Sequence, residues 1–271
     1  MVNPNFGPSV MVTGTAEAGV FPGGSTEIVT HRAWNTDANT LVIRFDEPHA
    51  SLSGDGGYRR IKLVCNSYMP KDLCDHLHFH DLSYDNYLKD LVKVIADRYG
   101  VPTREVTTLA TGVDMKDMSQ ASESFQNFWV HSWVTAGFRH NAMRAGVDKA
   151  CGTEVEGKYQ PCGTINIVLT TNARLSLGTM ASSFITATEA KDVALQDLGI
   201  HSSFNPTLQA TGTGTDQIIV VSGSEFKCRY AGGHTKLGEL MASTVTKACK
   251  IAFGKQLAKD PNYHLEGGLK K

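Results

Sequence analysis

The sequence predicts an α+β or mixed α/β chain, with a mixed β-sheet core flanked by long helices in a single main domain. Short runs of β-branched and aromatic residues recur along it, three stretches place apolar residues at helical spacing, and the two kinds of segment interleave without a repeating βα period. Periodicity leaves open whether the strands form one sheet or two stacked sheets. At 271 residues the chain is long enough to bury a sizeable core.

Residues 1–39 are rich in Gly, Pro and Thr and hold no sustained period, so they read as an irregular N-terminal segment. A short β-type run follows at 40–45. Residues 46–58, with Gly54, Gly56 and Gly57, then read as a turn-rich connection into a second run at 59–65. Between 83 and 99, Tyr84, Tyr87, Leu88, Leu91, Val94, Ile95 and Tyr99 recur at helical spacing, with Ser83 as N-cap and Gly100-Val101-Pro102 as the stop. Strands are predicted at 105–111, 128–136 and 163–171. In the second of these Phe128, Val130, Ser132 and Val134 alternate with Trp129, His131 and Trp133, so partial cover of both faces is expected. A helix over 177–198, a buried strand over 217–221 and a helix over 237–257 complete a domain set at 40–258, with a tail at 259–271.

Composition excludes several classes of function. Hydrophobic residues make up 41% of the chain and charged ones 20%, as in an ordinary globular protein. The net charge of -1 provides no broad basic field, which argues against nucleic acid or an anionic membrane as partner and for a small molecule. No run approaches the ~18 apolar residues of a membrane helix, and the start of the chain lacks the basic and apolar regions of a secretory signal. The expected location is therefore the cytoplasm. Cys65, Cys74, Cys151, Cys162, Cys228 and Cys249 are scattered without a Cys-x-x-Cys pair and read as reduced thiols. Cys151 and Cys162, which flank a polar Gly-rich loop, are the pair that could close under oxidation.

The most informative motif is Ala210-Thr211-Gly212-Thr213-Gly214-Thr215-Asp216, which runs straight into Gln217-Ile218-Ile219-Val220-Val221. Glycines free the backbone for close approach to a ligand, and threonine hydroxyls donate or accept hydrogen bonds. Backbone amides, hydroxyls and one acid are thus gathered at the mouth of a strand. The motif is neither a phosphate-binding P-loop nor a dinucleotide fingerprint, because no Lys-Ser/Thr pair follows and the strand comes after the glycines.

Lys191 is the second anomaly. Steps of three and four along the 177–198 helix give Met180, Phe184, Ala187, Thr188, Lys191, Ala194, Leu195 and Leu198 as the apolar stripe, with Glu189, Asp192 and Gln196 on or near the other face. An ammonium among core positions must pair, snorkel or lose its proton. Asp216 is the predicted partner, and a structural ion pair is the plainer alternative. His76-x-His78-x-His80 would put three imidazoles on one face of an extended segment, a spacing that can hold a divalent metal; solvated loop histidines read equally well, and no metal site is assigned. No Gly-x-Ser-x-Gly elbow is present.

Taken in order, several segments resemble the adenosylcobinamide amidohydrolase family over about residues 40–250. They are Asn66 in Val64-Cys65-Asn66, Thr111-Gly112-Val113-Asp114-Met115, and Thr135-Ala136-Gly137 with Asn141-Ala142 and Gly146. Gly163-Thr164-Ile165-Asn166, Thr188-Glu189-Ala190-Lys191 and the 210–216 loop are the most specific. The N-terminal forty residues, the His-rich segment and the loop from Cys151 to Cys162 depart from the family's pattern.

The resemblance implies hydrolysis of the amide joining the aminopropanol arm to the corrin ring of adenosylcobinamide, in corrinoid salvage. It implies no cofactor of the protein's own, since the cobalt belongs to the substrate, and it leaves oligomeric state open. It does not identify the attacking group. Amide hydrolysis needs an activated nucleophile, a stabilised oxyanion and a proton for the leaving amine. On that footing Asp216 or Glu189 is the expected general base, and Lys191 with the amides or hydroxyls of Thr211, Gly212, Thr213, Gly214 and Thr215 stabilises charge. Asn66, Asp114, Asn141, Gly163, Thr164 and Asn166 are the expected substrate-binding positions. A threonine nucleophile at Thr111 or Thr211 is the covalent alternative. A corrinoid-binding protein without hydrolytic power, or a phosphate-binding enzyme, would use the same loop differently.

Overall fold

The computed structural model describes residues 10–79, 84–150 and 163–259. Cys151, Cys162, His80 and Ser83 lie outside the described residues, and with them the oxidisable pair, the third imidazole and the helix cap. The chain is of the α+β class, and it divides into two compact units. One comprises residues 1–51 and 56–116, the other residues 52–55 and 117–271.

The first unit begins with β1 (Val10–Phe21) and β2 (Gly24–Ala33), an antiparallel hairpin, and β2 pairs antiparallel with β3 (Thr36–Ser53). The expectation of an irregular 1–39 segment is thereby corrected for residues 10–39, and the boundary at 39/40 falls inside β3. The cause is physical: β1 is mostly exposed and carries register shifts at Val12/Gly14 and Glu17/Gly19, so no apolar alternation survives in the sequence. Residues 46–53, expected to be a connection, continue β3, and the turn is confined to residues 54–56.

β4 (Gly57–Tyr68) pairs with β3 and runs parallel to β5 (Val106–Thr111), and α1 (Lys71–Phe79) and α2 (Tyr84–Tyr99) make the crossover between them. Tyr87, Leu91 and Ile95 of α2 share one apolar cluster with Leu63, Cys65, Val29 and Val106. The helical spacing read from Tyr84 onward is therefore the core face of α2. His31 of β2 is fully buried, with Nε2 3.1 Å from the Tyr87 hydroxyl. Burial holds its pKa down to about 4, with a smaller opposing contribution from the Val29 backbone.

α1 corrects the extended reading of the His-rich segment. Helical geometry turns residues two apart by about 200°, so they do not share a face, and His76 instead stacks on Trp34 with ring centroids 4.8 Å apart. Among the described residues no group of three His, Cys, Asp or Glu side chains could hold a metal ion.

In the second unit β6 (Ser119–Phe125), β7 (Phe128–Ala136) and β8 (Ile165–Thr171) are successive antiparallel neighbours, and β10 (Gln217–Val221) runs parallel to β8. Gly54 extends this sheet, donating its amide to the Ile218 carbonyl at 3.0 Å. β9 (Arg174–Leu175) and β11 (Lys227–Cys228) form a small parallel pair. α3 (Leu177–Asp197) and α4 (Lys236–Ala258) agree with the predicted helices to within a residue at each end. Ser176 and Thr235 cap them, accepting from the Thr179 and Gly238 amides. Both faces of β7 and β8 are covered, and Phe138 and Phe253 meet edge to face at 5.4 Å inside the unit. No helix among the described residues is long and apolar enough to cross a membrane.

Candidate active site

Parallel pairing of β8 and β10 sets the site. With Gln217 opposite Asn166, the residues just ahead of both strands, 163–165 and 211–216, arrive at the same end of the sheet. The segment after β7 joins them: the Met143 amide donates to the Gly212 carbonyl at 2.8 Å, and the Thr211 amide donates to the Met143 carbonyl at 2.9 Å. The Asn141 side-chain amide and the Thr215 hydroxyl both donate to the Gly163 carbonyl, the latter at 2.9 Å. Thr164 donates to the Thr215 carbonyl at 2.7 Å.

At the centre stands Asp216. Its Oδ1 accepts from the Ile165 amide at 3.1 Å, the Thr213 amide at 3.2 Å and the Thr213 hydroxyl at 2.5 Å. Its Oδ2 accepts from Lys191 Nζ at 2.6 Å. The Lys191 side chain is 7% exposed and that of Asp216 16%, so the predicted partnership exists as a buried, hydrogen-bonded ion pair. Gly212 is needed for it: a Cβ there would lie 2.1 Å from Asp216 Oδ2 and 2.8 Å from Lys191 Nζ. Gly214 sits at φ +81°, where a side chain would also strike Met143 Sδ at 2.4 Å. The two glycines thus have separate reasons, close approach and backbone sign.

Four donors fix the Asp216 carboxylate in place. Asp192 differs. Its Oδ1 lies 3.7 Å from Lys191 Nζ, beyond hydrogen-bond length, and is sealed from solvent without a hydrogen-bond partner. Burial pushes this carboxyl above the usual carboxylate range; Lys191 pulls it down, while Asp216 and Glu189 push it further up. The sequence places Asp192 on or near the outer face, and its side chain is 40% exposed, but its Oδ1 turns inward beside Lys191.

Other expected residues fall elsewhere. Thr188, placed in the apolar stripe, is exposed, and the stripe runs instead through Met180, Ser183, Ala187, Ala190, Lys191, Ala194 and Leu195. Glu189 is exposed on α3, two residues and about 200° round from Lys191, which removes it as the acid beside the ion pair. The Thr211 hydroxyl accepts from the Ala145 amide at 2.9 Å and donates towards the Met143 carbonyl at 3.5 Å, so it is engaged in holding the loop. Thr164 and Asn166 are buried, and the Thr164 hydroxyl lies 3.2 Å from Asn166 Oδ1.

Asn66, Thr111 and Asp114 belong to the first unit. Asn66 and Thr111 are buried, and the Thr111 hydroxyl accepts from the Val113 amide at 3.2 Å. Asp114 Oδ1 accepts from Asn39 at 3.0 Å and from the Lys116 amide at 3.0 Å. Although burial raises it, these bonds hold its carboxyl below the usual carboxylate range. It lines a pocket of about 340 Å³ with Thr30, Arg32, Asp37, Asn39 and Tyr68.

A buried lysine–carboxylate pair thus stands behind a glycine–threonine loop, at the shared end of two parallel strands of an α+β fold. Residues 25–261 match the adenosylcobinamide amidohydrolase family, and the chain belongs to that family of hydrolases. It is 39% identical to an uncharacterized protein of Methanocaldococcus jannaschii over 231 residues, which are 81% of this chain and 88% of that one. It is 28% identical to the adenosylcobinamide amidohydrolase of Methanosarcina mazei over 224 residues, 79% of this chain and 94% of that one. Among solved structures, it is similar to the L-aminopeptidase D-Ala-esterase/amidase of Ochrobactrum anthropi, described as a variant of the Ntn-hydrolase fold. That likeness has a TM-score of 0.43 at 12% identity and covers 81% and 78% of the two chains. A protein of Pyrococcus horikoshii gives a TM-score of 0.41 at 12% identity, covering 91% and 83%.

Proposed function

We propose that this protein hydrolyses the amide between the aminopropanol arm and the corrin ring of adenosylcobinamide, giving adenosylcobyric acid and 1-amino-2-propanol in corrinoid salvage in the cytoplasm. The observation that carries the reading is the Lys191–Asp216 pair, held by the 211–216 loop in a chain of this family. Asp216 fixes the ammonium; the Thr213 amide and hydroxyl, with the Ile165 amide, fix Asp216. Lys191 is then a preorganised positive charge for the oxygen of the tetrahedral intermediate, and it does not need to reorganise when that charge develops. Water supplies the nucleophile, and cobalt enters only as part of the substrate. The Thr164 hydroxyl lies against Asn166 and the Thr215 carbonyl, and Asn141 donates to the Gly163 carbonyl, so these residues serve by shaping the wall beside the loop.

Incubation with adenosylcobinamide, followed by mass-resolved chromatography, tests the reading. Release of 1-amino-2-propanol together with adenosylcobyric acid is expected. Recovery of intact adenosylcobinamide bound to the protein would instead make this a corrinoid carrier.

A further inference from the structure

We infer that Asp192 is the acid–base residue of this centre, the carboxylate that takes a proton from the attacking water and delivers it to the leaving amine. The inference rests on the hydrolytic reading above and adds to it the group that moves the proton. Two carboxylates flank Lys191, and they are not equivalent. Asp216 accepts four hydrogen bonds and its side chain is 16% exposed, so it is a holder of the cation. Asp192 has an oxygen sealed from solvent with no hydrogen-bond partner, while its side chain as a whole is 40% exposed. It therefore connects the buried ammonium to the outside, which an acid–base group must do and a locked carboxylate does not.

Among the described residues, the groups acting on it are Lys191 and Glu189 on its own helix and Asp216 from the loop ahead of β10, and the buried thiol of Cys249 from α4 feels the charges of Lys191, Asp216 and Asp192. Burial first, with Asp216 and Glu189 adding, pushes the Asp192 carboxyl upward against the pull of Lys191. An upward shift brings a carboxylate nearer the working range of a general base.

In the step assigned, Asp192 accepts one proton of water as the water oxygen bonds to the amide carbon, and the carbonyl π electrons move onto the oxygen beside Lys191. The intermediate collapses with cleavage of the carbon–nitrogen bond, and the proton held by Asp192 passes to the nitrogen. One amide and one water become one carboxylic acid and one amine, and Asp192 returns to its starting state.

Two measurements on the full-length protein test this. In the first, Asp192→Asn and Asp192→Glu are compared with wild type for release of 1-amino-2-propanol across pH. Asp192→Asn is expected to lose about 10²- to 10⁴-fold in kcat with KM and Tm little changed, and to lose the acidic limb of the pH–rate profile. Asp192→Glu is expected to recover part of the rate with that limb displaced. Wild-type kcat and an unchanged acidic limb in Asp192→Asn overturn the assignment. The second needs no substrate. A carboxyl-carbon NMR titration is expected to show one aspartate titrating above the ordinary range, absent in Asp192→Asn and displaced further upward in Lys191→Met. Absence of such a resonance overturns the role of Asp192 whatever the reaction, whereas a wild-type protein that releases no aminopropanol overturns the hydrolytic reading and leaves the titration to be judged by itself.

Discussion

His31 in the first unit and Lys191 in the second are both withdrawn from solvent, at 0% and 6% exposure, yet their surroundings are opposite. His31 faces a neutral phenol, that of Tyr87, and burial depresses its pKa to about 4, so it is kept neutral. Lys191 faces two carboxylates, one locked by four donors and one with an oxygen lacking a hydrogen-bond partner. Burial without a counter-charge disfavours the charged form of a base, whereas burial beside carboxylates supplies the partners a charge needs. The first arrangement keeps a buried base neutral; the second surrounds a buried base with acids, and it is the one the proposed chemistry uses.

Breaking the second arrangement is expected to have the largest effect on stability. Asp216→Asn leaves the Lys191 ammonium buried with only Asp192, at 3.7 Å, and is expected to cost about 3–5 kcal/mol in denaturant unfolding. Lys191→Met is expected to cost less, because Asp216 keeps the Ile165 amide and both Thr213 donors. Equal losses would show that the loop donors do not compensate the carboxylate.

The first arrangement is exposed by acid. His31 binds fewer protons folded than unfolded between its lowered value of about 4 and the ordinary histidine value of 6.5, so the stability it contributes is present above 6.5 and is lost as pH falls towards 4. The loss is on the order of 3 kcal/mol. Unfolding free energies of wild type and His31→Leu across that window check it, and the variant is expected to have a flatter profile.

Gly212→Ala puts a methyl against Asp216 Oδ2 and Lys191 Nζ, and is expected to cost about 1–3 kcal/mol and to lower turnover with it. At the bottom of the scale is the Lys247–Glu123 pair. Lys247 is 61% exposed, and although the pair, with Ser243, holds the Glu123 carboxyl below its usual range, Lys247→Met is expected to change stability by less than about 1 kcal/mol. A larger loss would mean that paired charges matter in this protein wherever they lie.

What the sequence disclosed follows from how each element is solvated. β7, β10, α2, α3 and α4 bury continuous or one-sided apolar sets, and their limits were legible to within a residue or two. β1 and β6 are largely exposed or polar, so their strand character has no apolar period to show it. α1 was hidden by its histidines. At the site, Lys191 and Asp216 were visible because a charge on an apolar stripe is anomalous and an acid closing a Gly-Thr loop needs a partner. Asp192 was not, because one helical step from the stripe is where an ordinary surface acid also stands; only the position of Oδ1 beside Lys191 separates the two. The partners that hold the Thr211 hydroxyl, Ala145 and Met143, were not legible because they come from a segment more than sixty residues away.

The pair at the centre is tested most directly by Lys191→Met, measured with adenosylcobinamide as substrate and by thermal melting in the same buffer. A folded protein whose aminopropanol release is reduced at least about 100-fold is the result expected if the ammonium stabilises the oxyanion. A folded Lys191→Met protein that turns over at the wild-type rate would contradict it.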